Sequence, residues 1–223
     1  MNDYTDGRGF RFASPDVRHF CLVKVTRAVS DYNACIELAK RGYAQQVCVL
    51  IRTMVECLRH AEYVIEPFGS EEHRTEAIKL VKEFFADGER GTTADPRKYH
   101  VQQGRVHDAL GEILDQLAVK LGDTEGRRPA RLAYRHSYAV LSNYVHSRYP
   151  ECMDLYGGRP GQFHCRGMKG TPKDLESFVI LEQFGATLSQ GLALVVQGLG
   201  LQKLVESDPI ISAWYKTHVI AAS

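Results

Sequence analysis

The sequence lacks an excess of charge of either sign. Lys and Arg number 28 against 27 Asp and Glu, which gives a formal net charge of +1. A chain so close to neutral has no overall field that would attract nucleic acid regardless of sequence. Any contact with phosphate must therefore come from a local group of cations.

Features of export and of membrane insertion are also missing. The first residues, MNDYTDGRGFRF, lack the basic region, apolar run and cleavage site of a signal peptide. The most apolar stretch, 178–201, is interrupted by Glu182 and three glutamines, and falls short of the run of about 20 apolar residues that a membrane span requires. We expect a core helix there, no membrane segment and a cytoplasmic location.

The cysteines follow no ligand or redox pattern. All six are scattered without a C-x-x-C pair, and four fall in helical patterns, where free cysteine behaves as a small hydrophobe. Cys152, His164 and Cys165 share one loop, but adjacent His and Cys are a poor chelating pair and no fourth ligand is evident. Because phosphate-binding glycine loops, G-x-S-x-G and H-E-x-x-H are absent as well, we predict no metal and no cofactor.

Helical periodicity is what the sequence does have. Apolar residues recur at three- and four-residue spacing, while no alternating strand pattern is evident. Start signals lie at Asp16, Ser70 and Thr171, and breaks lie at Gly42 and Pro150. The pattern predicts helices at about 16–41, 43–65, 70–86, 99–121, 129–148 and 171–197, and a last short helix from Ser207.

These elements predict the fold class and the domain organisation. We expect a single all-α domain over 14–223, a bundle of about six or seven helices, after a flexible N-terminus at 1–13. A long irregular loop near 150–170 holds five glycines and Pro160, and loops of that length are often functional or mobile. Small residues along 171–197 would let a neighbouring helix approach closely.

The apolar helix predicted at 43–65 also carries opposite charges, among them Arg52 and Glu56. Arg52 and Glu56 are four residues apart and so share a face. Inside a buried helix such charges must be paired or hydrogen-bonded, since burying either alone costs several kcal/mol. A structural ion pair is one interpretation, and a polar site inside the bundle is the other.

A second polar group lies on the helix predicted at 129–148. At 100° per residue, four of its side chains fall within about 60° of one another: Arg131, Arg135, Ser142 and His146. Histidine suits proton transfer near neutral pH, and guanidinium groups suit phosphate. The alternative is a surface helix in which His146 only complements the dipole. His136 is a weaker candidate for proton transfer beside Arg131, because the two side chains lie about 140° apart around the helix.

Two segments, AKRGYAQQVCVLIRTMVECLRHAEYVI and YRHSYAVLSNYVHSRYPE, resemble a bacterial family of helical proteins of unknown function, numbered 5677. The family's early Arg and Glu are matched by Arg52 and Glu56, and its later Tyr, Leu-Ser and Val-His pattern by Tyr138, Leu141-Ser142 and Val145-His146. The layout is more distantly similar to HEPN domains of toxin and antiviral systems, many of which are dimeric, metal-independent ribonucleases.

Three alternative functions stay open, of which the resemblance implies the ribonuclease and the residues themselves suggest the other two. One is a noncatalytic interaction module of a bacterial defence or toxin–antitoxin system, which would bind a protein partner or form a homodimer. Another is a ribonuclease acting on RNA, with His146, Arg135, Arg52 and Glu56 as catalytic residues. A third is a binder of a small anionic ligand. The candidate binding residues are Arg131, Tyr138, Ser142 and Asn143.

The resemblance to HEPN domains is incomplete at this histidine. Those domains place an Arg four to six residues before the His, whereas the residue six before His146 is Val140 and Arg135 lies eleven before it. A cation from Arg52 on the neighbouring helix is the candidate replacement.

Overall fold

A computed structural model describes residues 2–4, 9–12, 14–66, 69–90, 106, 108, 109, 111–113, 115, 138–157 and 159–207. Most of these residues are helical, which confirms the predicted all-α bundle. The predicted helix at 99–121 is described only in part. Of the helix predicted to start at Ser207, only Ser207 itself lies within the described residues.

The first helix, α1 (Val17–Ala39), begins and ends as its sequence predicts. The Asp16 carboxylate accepts the backbone N–H of His19 at 3.1 Å, which satisfies one of the unpaired donors of the first turn. At the other end Gly42 takes φ +77°, and its N–H donates to the Ala39 carbonyl at 2.8 Å. The chain reverses there and enters α2 (Ala44–Ile65) at once.

Helix α2 lies at the centre of the bundle, as its apolar composition predicts. Val47, Ile51 and Met54 are fully buried, because α1 packs on one side and α7 (Pro172–Gly198) on another. Together the three helices form the main core, with Cys35 from α1 and Leu188 from α7 among its members.

The remaining helices flank this core. Helix α3 (Glu71–Arg90) follows Ser70, whose hydroxyl accepts the His73 N–H at 3.2 Å, so the predicted cap is confirmed. The described helical residues 106, 108, 109, 111–113 and 115 are assigned to α4, and the described residues of α5 are 138–145. Two short helices are α6 (Tyr149–Met153) and α8 (Gln202–Ser207).

The described part of the N-terminus has regular structure that the sequence did not predict. Strands β1 (Asn2–Tyr4) and β2 (Gly9–Arg11) pair antiparallel. The Phe12 ring then lies 4.3 Å from the His19 ring on α1. An irregular start was expected because three-residue strands are too short for an alternating pattern to show.

Helix α5 ends earlier than predicted. Its last helical residue is 145. The N–H of Arg148 donates to the Asn143 carbonyl, and the N–H of Ser147 donates to the Tyr144 carbonyl, both at 3.2 Å. This pair of bonds closes a helix with a left-handed residue, here Ser147 at φ +49°. The expected end at Arg148 is wrong because the stop is made by a serine, not a glycine.

The small residues of α7 mostly face the inside of the chain. A Cβ added to Gly185 would lie 2.4 Å from the Tyr32 hydroxyl, and one on Gly191 would lie 2.9 Å from Leu58. These glycines therefore allow α1 and α2 to approach α7 within the same chain, so the close neighbour that the sequence predicts is internal.

The opposite face of α7 lies in solvent. By length and composition alone α7 is the one helix in the described part of the chain that could cross a membrane, with 22% of its most apolar window buried. Such a result is weak evidence for a span, because core helices of soluble proteins pass the same test. The expectation of a core helix holds for only one face, on which Ser177, Leu181, Leu188 and Val195 are buried.

Candidate functional site

Four polar side chains meet between α2 and α5, and we call them the Arg52 cluster: Arg52, Glu56, Tyr138 and Ser142. Arg52 Nη2 lies 2.8 Å from Glu56 Oε1 and donates to the Tyr138 hydroxyl at 2.7 Å. Arg52 Nε donates to Ser142 Oγ at 3.0 Å. The Tyr138 hydroxyl donates in turn to Glu56 Oε1 at 2.6 Å.

Helical spacing brings these groups together. Arg52 and Glu56 are four residues apart on α2, and Tyr138 and Ser142 are four apart on α5, so each pair lies on one face of its helix. The two faces pack against each other. The sequence predicted the Arg52–Glu56 pair and named Tyr138 and Ser142 only as separate candidate residues, and the structure brings all four into a single cluster.

The cluster is largely shielded from water. The exposed fraction of the side chain is 19% for Arg52 and 12% for Glu56. Burial, with the hydrogen bond and charge of Glu56, raises the pKa of Tyr138 to about 12, so its hydroxyl keeps its proton at neutral pH. The guanidinium carbon of Arg52 also lies 5.0 Å from the centre of the Tyr138 ring. These contacts together make the cluster an electrostatic link between two helices.

His146 lies at the edge of this cluster without joining it. It follows the last residue of α5, its backbone N–H donates to the Ser142 carbonyl at 3.0 Å, and its side chain is exposed. Among the described residues its ring makes no hydrogen bond or ion pair. The predicted partners Arg131 and Arg135 lie outside the described residues, so the full polar ridge stays a prediction.

Asn143 is placed apart from the cluster. Its side chain is half-buried, and its carbonyl accepts the Arg148 N–H in the turn that closes α5. Within the described residues its amide makes no hydrogen bond to Arg52 or Glu56. Its binding role stays a prediction.

A second polar network, which sequence reasoning missed, fixes the segment after α5. The Tyr144 hydroxyl donates to Asp154 Oδ2 at 3.1 Å, and Lys173 Nζ lies 3.6 Å from Asp154 Oδ1. The Gln45 amide donates to the Glu151 carbonyl. These contacts join residues far apart in sequence, so no local spacing could have indicated them.

Two of the cavities between described residues bear on the predicted small-anion site. One, of about 10 Å³, lies between Cys48, Tyr144 and Lys173 and has room for about one water molecule. The other, of about 300 Å³, lies between α3 and α4 and is lined by Tyr63, Glu76 and Lys79. Neither is lined by Arg52, so the small-anion site predicted around it stays a prediction.

Within the described residues, no group of three or more His, Cys, Asp or Glu side chains is placed to hold a metal ion. Comparison of the chain with models of protein families, with curated proteins and with solved structures finds no match. The resemblance to family 5677 and to HEPN domains therefore stays a prediction, and the functional argument depends on the residues themselves.

Proposed function

We propose that this chain is a noncatalytic helical interaction module that pairs with a second copy of itself through the outer face of α7. The observation that carries the proposal is that this face is long and exposed and carries no charge over residues 183–202. Glu182 and Lys203 bound this uncharged stretch. A solvent-facing helix of this length is normally rich in charged residues.

A seven-residue repeat runs along the outer face. Val179, Ala186 and Ala193 recur every seven residues, and three glutamines recur with the same period: Gln183, Gln190 and Gln197. All of them are exposed except Ala193, which is half-buried. We call these six residues the α7 seam. A seven-residue period drifts by only about 20° per repeat around a helix, so it forms one stripe that a supercoiled partner helix can follow.

The chemistry of the α7 seam favours a second copy as that partner. A glutamine amide carries both donors and an acceptor, so two copies of the seam can hydrogen-bond to each other. Between Glu182 and Lys203 the absence of charge removes like-charge repulsion between identical faces. Exposed apolar side chains extend the seam at its start, where Leu175 is 73% exposed and Val179 is 63% exposed.

The noncatalytic part of the proposal is supported by the Arg52 cluster. Glu56 Oε1 accepts from both Arg52 and Tyr138, and Arg52 reaches three partners. Charged groups that satisfy one another in this way are typical of a structural ion pair. Such a cluster stabilises the packing of α5 on α2 and so supports the face that α7 presents.

The test is the molecular mass in solution, measured by light scattering and by sedimentation over a range of concentrations. We expect twice the mass of the chain for the wild type. Ala186→Glu should give the mass of a single chain with unchanged helical content, because it places two carboxylates against each other at the centre of the seam.

The matched control is Ala34→Glu, which adds the same charge at an exposed alanine of α1. It should leave the dimer intact. A wild type that stays a single chain at all concentrations, or a dimer that survives Ala186→Glu, would overturn the proposal. Flotation with phosphatidylcholine vesicles that Ala186→Glu abolishes would assign the face to a membrane instead, and would also overturn it.

A metal-independent ribonuclease is the second candidate, and one observation favours it. The exposed His146 is four residues beyond Ser142, whose hydroxyl accepts from Arg52, so an imidazole and a guanidinium approach the same end of α5. The imidazole would exchange protons with the RNA 2′-hydroxyl or the leaving oxygen. Cleavage of labelled RNA in EDTA that His146→Ala abolishes would support this function. Equal cleavage by wild type and variant, or none by either, would exclude it.

A further inference from the structure

The segment after α5 presents aromatic and cationic side chains on one ordered loop. Residues 155–157 and 159–164 form a hairpin in which the His164 N–H donates to the Leu155 carbonyl and the Gly157 N–H to that of Gln162, both at 2.8 Å. Its tip is a tight turn, with the Gln162 N–H bonded to the Arg159 carbonyl and Gly161 at φ +76°. The long loop predicted as irregular is therefore regular at its centre.

Three aromatic rings of the segment that follows α5 lie in solvent, one at the start of α6 and two on the hairpin. Tyr149 is 77% exposed and Phe163 is 52% exposed, and the Tyr156 ring packs edge to face against Phe163 at 5.9 Å. Exposed rings of this kind do not contribute to the core. We call these rings, together with three exposed arginines of the same segment, the hairpin surface: Tyr149, Tyr156, Phe163, Arg148, Arg159 and Arg166.

The charge that the hairpin surface presents to solvent is positive. Arg148, Arg159 and Arg166 are exposed, and within the described part of the chain none of them forms an ion pair. The acids of the same segment turn inward: Asp154 binds Tyr144 and Lys173, and one carboxylate oxygen of Glu151 is fully buried. A chain with almost no net charge therefore has a local cationic surface.

The loop is held in place by contacts with the α1–α2 turn. The Met168 N–H donates to the Gly42 carbonyl at 2.6 Å, and the Met168 side chain is buried. A Cβ on Gly167 would lie 2.3 Å from the Arg41 carbonyl oxygen, so only glycine permits this approach. A surface fixed in advance loses little conformational entropy when a ligand binds.

We propose that the hairpin surface binds single-stranded nucleic acid, with bases stacked on its rings and phosphates held by its arginines. Aromatic rings beside unpaired cations are the combination that single strands require, because every base has a face that can stack. A duplex keeps its bases stacked inside and would use the arginines alone. The proposal does not depend on pairing through α7.

The experiment measures binding by fluorescence anisotropy with a labelled oligouridine, a labelled oligothymidine and a duplex, each of about ten nucleotides. We expect one or both single strands to bind more tightly than the duplex, and preference for one sugar identifies RNA or DNA as the ligand. The association constant should fall with salt with a logarithmic slope of about −2, since each of three phosphate contacts contributes about −0.7.

Two variants of the surface and two matched controls sharpen the result. Phe163→Ala should weaken binding roughly tenfold through lost stacking, and Arg159→Gln at the exposed tip should make the salt slope shallower by about 0.7. Arg18→Gln changes an exposed arginine of α1, and Phe178→Ala removes an exposed ring of α7. Both controls should bind like the wild type.

Three results would overturn the proposal. They are no binding of either single strand, equal affinity for the duplex, and affinity unchanged in both Phe163→Ala and Arg159→Gln. Equal binding of a labelled polyglutamate peptide would assign the surface to an acidic protein partner and would also overturn it. Because Phe163→Ala could disturb the hairpin, Arg159→Gln, whose side chain makes no ion pair among the described residues, keeps the test decisive.

Discussion

The hydroxyl of Tyr138 donates to Glu56 Oε1 at 2.6 Å across 82 residues of sequence. The same hydroxyl accepts from Arg52 at 2.7 Å, so one atom ties an ion pair within α2 to a separate helix. Removing it with Tyr138→Phe should lower the free energy of unfolding by about 2 kcal/mol, because hydrogen bonds to charged groups contribute more than neutral ones. Urea denaturation followed by circular dichroism measures the change.

Tyr149→Phe is the matched control for this prediction. Tyr149 is 77% exposed, so losing its hydroxyl should change the free energy of unfolding by less than about 0.5 kcal/mol. Equal effects of the two substitutions would mean that the Arg52 cluster does not stabilise the fold.

The raised pKa of Tyr138 predicts how stability depends on alkaline pH. Its pKa is about 12 in the folded chain against an ordinary 10.0, so folding favours the protonated hydroxyl. The stability that this contributes is present below pH 10 and is lost as pH rises from 10 towards 12. The difference in unfolding free energy between wild type and Tyr138→Phe should therefore be smaller at about pH 11 than at about pH 8.

The comparison with Tyr138→Phe separates this tyrosine from other alkaline titrations. Burial raises the pKa of Cys21, Cys35 and Cys48 to about 12 as well, but these thiols are present in both proteins. A difference that stays constant with pH would contradict the proposed environment of Tyr138.

The effects on stability of replacing Arg52 and Glu56 should depend on each other. Arg52→Met leaves the Glu56 carboxylate shielded from water with one hydrogen-bond donor fewer, so it should cost about 2 to 3 kcal/mol of unfolding free energy. Arg52→Met with Glu56→Gln should cost at least about 1 kcal/mol less than the sum of the single changes. A double-mutant cycle in urea measures this coupling.

An exposed pair with similar spacing provides the control cycle. Arg74 and Glu71 on α3 are 59% and 84% exposed and lie 3.2 Å apart. Their coupling should stay below about 0.5 kcal/mol, because solvent screens exposed ion pairs. Similar coupling in the two cycles would contradict the shielding of the Arg52 cluster.

Local patterns predicted most of the helical framework. The apolar stripe of 43–65 identified the central helix, and Gly42 marked its start, because periodicity and glycine stops act over a few residues. The four-residue spacing of Arg52 and Glu56 placed them on one face for the same reason. The fold class and half of the Arg52 cluster could therefore be predicted from the sequence.

The missed features depend on distant contacts or on an unusual residue. Nothing near Gln45 indicates that its amide binds the Glu151 carbonyl, since those residues meet only in the folded chain. Ser147 ends α5 in a conformation that sequence reasoning assigns to glycine, and this moved His146 off the predicted helix. The order within the loop at 150–170 comes from hydrogen bonds inside the hairpin and from contacts with Gly42, which the glycine content of the loop did not indicate.

The cysteines should divide into two classes by reactivity. Cys21, Cys35, Cys48 and Cys57 are buried, whereas Cys152 and Cys165 are exposed. Alkylation of the native chain by iodoacetamide should modify only Cys152 and Cys165, since a thiol must be accessible and ionised to react. Mass spectrometry of peptides before and after unfolding measures the classes, and rapid modification of Cys35 in the native state would contradict the packing of α1 on α2.

The ends of α1 and α5 should respond oppositely to substitutions between glycine and a larger residue. Gly42→Ala should destabilise the fold by about 2 kcal/mol or more, because φ is +77° there and the new Cβ would lie 2.3 Å from the Lys169 backbone nitrogen. Ser147→Gly should leave stability unchanged or raise it by up to about 1 kcal/mol, since glycine adopts the left-handed conformation of Ser147 without strain. Urea denaturation of both variants measures the two signs.

Ala34 supplies the control, because it is exposed within α1 and Ala34→Gly tests the ordinary helical preference for alanine, with an expected loss of about 1 kcal/mol. A loss of similar size in Ser147→Gly would contradict the left-handed conformation and, with it, the position of His146 beyond the end of α5.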